Sequence, residues 1–590
     1  MTERSTLARQ ELAESSAALA LARTLKAAGV DHVFGQSCPI AFFLAAKRVG
    51  IEQIGYRTEN AGIAMADGFA RRSGRVGVMA AQNGPAASLI VGGLCEALRA
   101  SVPIVAIVQD VVRANTDRNA FQEIDHEALF RPCAKWVRRL TVARRTAEYA
   151  VRAIRAATTG RPGPAVLLVP FDVLLEDVGD TTPPAWVTPD AGRYPQDRFA
   201  PSRASLREAL AIVSQAERPL VVAGGGVHHS GAAGALARLQ RTLGVPVATT
   251  YMGKGAVDET DPLSVGVVGY VMGSGAPAAP LKSFVSGADA VVFVGSRTNE
   301  NGTASWSLFS RSARFVQIDV DPEEIGRNYE GLRLLGDARE TLEAMLEEAN
   351  ASGFAREHRN AQVFRDAIAQ ARRLHAGQVG PVMRDDAPTL RPERLLRDLD
   401  RRMPEGTVWV ADASYSSLWV SQYLTSRRAG ARFITPRGIG GLGWGLPLAI
   451  GARLADPASR VVAVVGDGGF AHCWAELEVA RRHRLPVTVV VLNNGVLGYQ
   501  RDAEQSRFGD VTTVCEFGPI DHVAIARATG CDGIAVRRVS DIEAAIGAAL
   551  AATGPFVVDA HVDPQAFPPV SAFEGLKGGE AGDEVRWHAH

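Results

Sequence analysis

The chain is 590 residues long, with 64 Lys and Arg against 64 Asp and Glu and with 46 % hydrophobic residues. That length predicts three or four domains with sizeable cores, and the balanced charge excludes the basic footprint of a nucleic-acid or membrane-surface protein. The polar start MTERSTLARQELAESS lacks an apolar signal core and no stretch reads as a transmembrane span, so the expectation is a cytoplasmic α/β protein handling a small molecule, with no nucleic acid and no membrane as partners.

The elements fall into three blocks. In the first, HVFG, VGVMAA, PIVAIVQD and PAVLLVPFDV read as buried strands. Between the first two, Glu59 opens a helix of small residues (Ala61, Ala64, Met65, Ala66) that permit close packing. Taken alone, Glu59 reads as a first-turn acid favoured by the helix dipole. QNGPAAS (82–88) is a Gly-Pro loop that opens a helix after a strand. Residues 176–203, rich in Pro, Asp and Thr, read as a linker.

The second block offers PLVVAGGG, VPVATT, AVVFVGS and FVQIDVD as strands. Its GGGVHHSG turn lacks the G-x-G-x-x-G spacing, because His229 stands where the third glycine belongs. Asp319 and Asp321 fit either a ribose contact or a plain strand-end turn. FAD, ADP and a vestigial site all stay open. Residues 371–395 read as a second irregular linker.

The third block holds TVWVADAS, VVAVVGDG, VTVVVLNN and FVVDAHVD. The whole is predicted as three doubly wound parallel-sheet α/β domains, at 1–180, 200–350 and 385–565, followed by a flexible tail at 566–590. The six cysteines (Cys38, Cys95, Cys133, Cys473, Cys515, Cys531) have no paired metal spacing and read as reduced structural thiols.

The ends of two neighbouring strands in block three carry the strongest chemical signal. Val461 opens a β-branched run that ends in Gly466-Asp467-Gly468-Gly469, and the next run, from Val487, ends in Asn493-Asn494. AELEVARRHR between them reads as a helix stopped by Pro486. A right-handed crossover sets both strand ends on one sheet edge, where open α/β sheets bind ligands. Asp467 and Asn494 then offer two oxygens to a hard cation, and Gly468 and Gly469 let backbone N–H groups approach a phosphate. An ordinary Gly-Asp turn is the plainer reading of the first motif alone.

In this order, HVFG, RTENAGIAMADGFARRSG, NGPAAS, AFQEID, GRPGPAVLLVP, IGGLGWGLPLAIGA, GDGGF and LNNG resemble the thiamine-diphosphate-dependent enzymes, in their acetolactate synthase and 2-oxo-acid decarboxylase branch. The resemblance names the three domains pyrimidine-binding, central and diphosphate-binding. It implies Mg²⁺ held by Asp467, Asn494 and the Val496 carbonyl, and thiamine diphosphate contacted by Gly440, Leu442, Tyr415, Ser416, Gly468 and Gly469. Glu59 would hydrogen-bond the pyrimidine nitrogen and favour the tautomer that deprotonates the thiazolium carbon. Phe121 and Gln122 would meet the reacting group, with Lys135 steadying their loop. The implied activity is carboligation or decarboxylation of a 2-oxo acid such as pyruvate (a transferase or lyase), in a homodimer or homotetramer with active sites between subunits.

Departures from that pattern are equally legible. Ala503 stands where branched-chain acetolactate synthases carry a tryptophan that selects the larger acceptor. FGQSCPI alters one pocket wall and makes Cys38 either a contact or a buried thiol. Ala86 and Gly469 replace a usual glycine and a usual serine. A 2-hydroxyacyl-CoA lyase or oxalyl-CoA decarboxylase is the alternative enzyme, a cofactor-binding scaffold the alternative without catalysis, and a dinucleotide-dependent dehydrogenase lacks its glycine fingerprint.

Overall fold

The computed structural model describes residues 12–384 and 389–573. Among them, three six-stranded sheets are parallel throughout. The first comprises β1 (His32–Gly35), β2 (Glu52–Ile54), β3 (Gly77–Ala81), β4 (Ile104–Asp110), β5 (Trp136–Arg139) and β6 (Pro164–Pro170), in the order β2-β1-β3-β4-β6-β5. The second comprises β7 (Pro219–Ala223), β8 (Val247–Thr249), β9 (Ser264–Val267), β10 (Ala290–Val294), β11 (Arg314–Asp319) and β12 (Leu332–Leu335), ordered β12-β11-β10-β7-β8-β9. The third comprises β13 (Val408–Ala411), β14 (Phe433–Ile434), β15 (Val461–Gly466), β16 (Val487–Asn493), β17 (Asp532–Val536) and β18 (Phe556–His561), ordered β14-β13-β15-β16-β18-β17.

The twelve strands expected from sequence are the inner ones. Helices cover both faces of such a strand, so β3, β7 and β10 bury every residue and read as continuous apolar runs. Each fully buried valine of β15 or β16 contributes about 1.5–3 kcal/mol relative to exposure. The six strands that the sequence did not announce (β2, β5, β9, β12, β14, β17) are the six sheet edges. They are two to five residues long and most carry exposed or half-exposed positions.

The first and third sheets share one order, which reverses between β1 and β3 and between β13 and β15. The second reverses between β7 and β10. Each reversal opens a crevice at the C-terminal strand ends. The first sheet with its helices forms one compact unit, and the second and third sheets together form another.

Two segments differ from the sequence reading. The stretch 371–395 is largely helical: the helix Ala361–Arg384 runs through its first half despite Pro381, and Pro392–Arg402 starts within it. Residues 566–573, read as loose tail, pack on the third sheet, because Ala566, Val570 and Phe573 bury their apolar groups there. Ser571 N–H donates to the Tyr270 carbonyl at 2.9 Å, and the Phe573 ring lies 5.3 Å from that of Tyr499. Residues 574–590, with the terminal histidines, lie outside the described residues. No helix among the described residues is long and apolar enough to cross a membrane.

Candidate active site

The crevice beside β13 and β15 is a narrow cleft. β15 delivers Asp467, Gly468 and Gly469 to it, and β16 delivers Asn494 and Val496. Tyr415 and Ser416 enter from the helix Tyr415–Tyr423 that follows β13, and Leu442 from a separate loop. The structure therefore brings eight sequence-predicted residues of this block together. Gly440, two residues before Leu442, does not line the cleft.

Asp467 is 7 % exposed and opens the short helix Asp467–Ala471. Its Oδ2 accepts from Gly495 N–H at 2.7 Å and its Oδ1 from Gly468 N–H at 3.0 Å, so one carboxylate ties the tips of β15 and β16 together. Burial pushes its pKa above the ordinary carboxylate value, against the pull of those N–H groups. Asn494 Oδ1 accepts from Val496 N–H at 3.2 Å, and the Val496 carbonyl from Gly498 N–H at 2.9 Å. Each of these oxygens keeps a further lone pair. Among the described residues no three His, Cys, Asp or Glu side chains gather into a metal cluster. A cation here would meet one carboxylate, one amide and one carbonyl oxygen, a hard donor set that fits Mg²⁺.

Sequence reasoning named the neighbours of Asp412 but not Asp412 itself. It is 1 % exposed, and burial raises its pKa. Its Oδ2 accepts from Gly443 N–H at 3.0 Å and its Oδ1 from Trp444 N–H at 3.1 Å, which fixes the loop that carries Leu442. The signal was present, an acid at the end of the apolar run VWVA, as in the Gly466-Asp467 case. Asp412 also accounts for Gly469: a Cβ there would lie 2.3 Å from Asp412 Oδ2, so a serine does not fit.

Ser414, ahead of the helix Tyr415–Tyr423, holds φ 61° and ψ −142°, a region that glycine alone occupies comfortably. Its carbonyl accepts from Ser417 Oγ at 2.8 Å and from the Arg437 guanidinium at 3.3 Å. The Tyr415 hydroxyl donates to Asp502 Oδ2 at 2.5 Å; burial, and the Asp502 charge after it, push that hydroxyl well above its usual pKa.

The first unit presents a second constellation. Glu59 is half-buried at the first position of the helix Glu59–Ser73, where Thr58 Oγ1 accepts from Ala61 N–H at 3.4 Å. The close packing expected around it is present, since a Cβ on Gly62 would fall 2.1 Å from the Tyr56 ring. Phe121 is 85 % exposed. Gln122, at φ 61°, accepts at Oε1 from Gln82 Nε2 at 2.8 Å, and its carbonyl from Asn83 Nδ2 at 3.2 Å. Lys135 anchors the far end of this stretch through the carbonyls of Thr159 and Arg161, at 3.0 and 2.6 Å.

A buried dyad beneath that loop was not foreseen. Gly84 N–H donates to His126 Nε2 at 3.0 Å, which leaves the ring proton on Nδ1, 3.2 Å from Asp110 Oδ1. Arg139 reaches Asp110 Oδ2 at 2.8 Å. The six cysteines are unpaired thiols, and Cys38 is buried.

In the second sheet, the glycines after β7 are occupied with packing. A Cβ on Gly224 would lie 2.3 Å from the Gly295 carbonyl, and one on Gly226 2.7 Å from Gly295 Cα. Burial pushes the pKa of His228 down to about 3 and holds His229 well below its ordinary value. Asp319 and Asp321 cap the turn after β11, accepting from the N–H groups of Asp321 and Glu323 at 3.0 Å each.

Three family models match the chain: the thiamine pyrophosphate enzyme N-terminal TPP binding domain over residues 15–129, the central domain over 206–345, and the C-terminal TPP binding domain over 412–560. A probable acetolactate synthase large subunit of Methanocaldococcus jannaschii is 30 % identical over 562 residues, covering 93 % of each chain. The acetolactate synthase large subunit of Parasynechococcus marenigrum is 32 % identical over 559 residues, 93 % of this chain and 87 % of that one. The large subunit of Escherichia coli acetolactate synthase isozyme 2 is 30 % identical over 547 residues, 91 % and 94 % of the two chains. The chain belongs to the thiamine-pyrophosphate enzyme family, in its acetolactate synthase-like branch.

Proposed function

We propose that the protein is a thiamine-diphosphate- and Mg²⁺-dependent carboligase that joins two 2-oxo acids, with pyruvate as donor and an acetolactate-type product. The observation that carries this reading is the cleft in which Asp467, Asn494 and Val496 meet Leu442, Tyr415 and Ser416. When bound, thiamine diphosphate supplies a nucleophilic carbon and a sink for the electron pair released as a carbon–carbon bond breaks.

Asp467, Asn494 and the Val496 carbonyl hold the cation. Gly468 and Gly469, without side chains, would leave room for the diphosphate, and the Gly469 N–H would take one of its oxygens, with Tyr415 and Ser416 closing the other side. Leu442 would support the apolar body of the cofactor, and Gly440, outside the cleft lining, would shape the loop that carries Leu442. Glu59 would hydrogen-bond the pyrimidine nitrogen through its carboxyl group. Phe121 screens the reacting group from water. With Gln122 Oε1 occupied by Gln82, the Gln122 Nε2 is the donor toward a substrate oxygen.

Apolar side chains stand exposed on each unit: Phe121 at 85 % and Leu89 at 55 % on the first, Val514 at 74 % and Phe508 at 73 % on the second. They support a homodimer or homotetramer whose active sites lie between subunits. The net charge and the absence of a spanning helix among the described residues support a cytoplasmic protein. The second sheet keeps the order of dinucleotide-binding folds, which supports an adenine-nucleotide platform; visible absorbance of the purified protein distinguishes FAD from ADP. The acyl-CoA lyase reading loses support, because the relatives matched over more than nine-tenths of the chain carry the name acetolactate synthase.

The test is an NMR time course of pyruvate with protein, thiamine diphosphate and Mg²⁺. Acetolactate or acetoin is the expected product. Pyruvate left unchanged by cofactor-loaded protein overturns pyruvate as the donor.

A further inference from the structure

β13, β15 and β16 carry the cofactor cleft at their C-terminal ends. Their N-terminal ends border an open cavity of about 710 Å³, reached by residues Thr407, Arg460 and Pro486 immediately ahead of the three strands. Arg72, Arg428, Arg453 and Arg460 line this cavity; Arg72 is paired with Asp456, which leaves the other three, and the lining carboxylate among the described residues is Glu405. The chain as a whole balances 64 basic against 64 acidic residues, so this local excess is not general basicity.

None of the three arginines has a carboxylate within 4.0 Å among the described residues. Arg460 donates only to backbone carbonyls, those of Ala549 at 3.2 Å and Leu550 at 2.9 Å, near the end of the helix Ile542–Ala551. Arg453 donates to the Asp456 carbonyl at 3.1 Å, and its Nε is buried without a partner. Asp456 does not line the cavity, and its carboxylate accepts from Ser459 Oγ at 2.5 Å. Burial holds the Arg453 pKa below its usual value, with the Arg460 charge acting in the same direction and Asp456 opposing. Arg428 is exposed at the rim.

Charged groups withdrawn from water normally have a counter-charge, and a concave surface of one sign concentrates ions of the other. Guanidinium groups match phosphate oxygens in geometry as well as charge. We propose that this cavity is a second binding site, separate from the cofactor cleft, for a small phosphate-bearing anion.

Calorimetric titration of the protein saturated with thiamine diphosphate and Mg²⁺ tests the site, because the cofactor cleft is then filled. Inorganic phosphate should bind saturably, at least about tenfold more weakly in Arg460→Gln and in Arg428→Gln. Ribose 5-phosphate binding about tenfold tighter than phosphate would identify an organic ester as the ligand, and equal affinity the phosphoryl group alone. Arg428 is exposed, so its variant stays folded and checks the partly buried Arg460. No saturable binding, or equal phosphate affinity in wild type and both variants, overturns the proposal.

Discussion

Glu59→Gln is expected to lower turnover by roughly 10²–10⁴-fold, the range for loss of a group that moves a proton in the transition state. Glutamine preserves the shape of the side chain and removes only the charge and the proton-accepting oxygen. The helix Glu59–Ser73 keeps its Thr58 cap and its close packing around Gly62. A first-turn acid contributes about 0.3–1 kcal/mol through the helix dipole, so a purely structural Glu59 would give a small drop in thermal stability and unchanged turnover. Steady-state kinetics beside a thermal melt separates the two outcomes.

Asp467→Asn is expected to weaken Mg²⁺-dependent binding of thiamine diphosphate by more than about 100-fold, beyond the 10–100-fold typical of residues that only orient metal ligands. The amide oxygen can still accept from Gly495 N–H, which holds the tips of β15 and β16 together. Without cofactor, one effect on stability should run the other way. The folded protein raises the pKa of Asp467 above its unfolded value, so it binds that proton more readily than the unfolded chain does. Stability from this group is therefore lost as pH rises through the two values, and at neutral pH the ionised carboxylate opposes folding. Against that gain, the amide NH2 cannot accept from Gly468 N–H, so the asparagine variant without cofactor should melt close to wild type, and cofactor with Mg²⁺ should no longer raise the midpoint. A variant that melts lower yet still gains from Mg²⁺ would assign Asp467 a structural role alone.

The sequence revealed most where burial is complete. β15 and β16 are buried up to their last residue and apolar apart from Thr488, and their ends mark where the strands meet solvent. Edge strands such as Leu332–Leu335 and Glu52–Ile54 bury one residue each and are short, so no apolar run announces them. Proline concealed the end of the helix Ala361–Arg384, which continues through Pro381 at an exposed position. Asp412 escaped notice because its work is tertiary: it binds two N–H groups more than thirty residues away. The Asp110–His126 pair and the three arginines arise in the same way, from residues distant in sequence that the strand order gathers.

Calorimetric titration of thiamine diphosphate into the purified protein, with Mg²⁺ and again after chelation, tests the cofactor cleft most directly. One bound cofactor per chain with Mg²⁺ and no saturable binding after chelation is the expected result. Equal binding in both conditions would contradict a diphosphate held through a cation at Asp467 and Asn494.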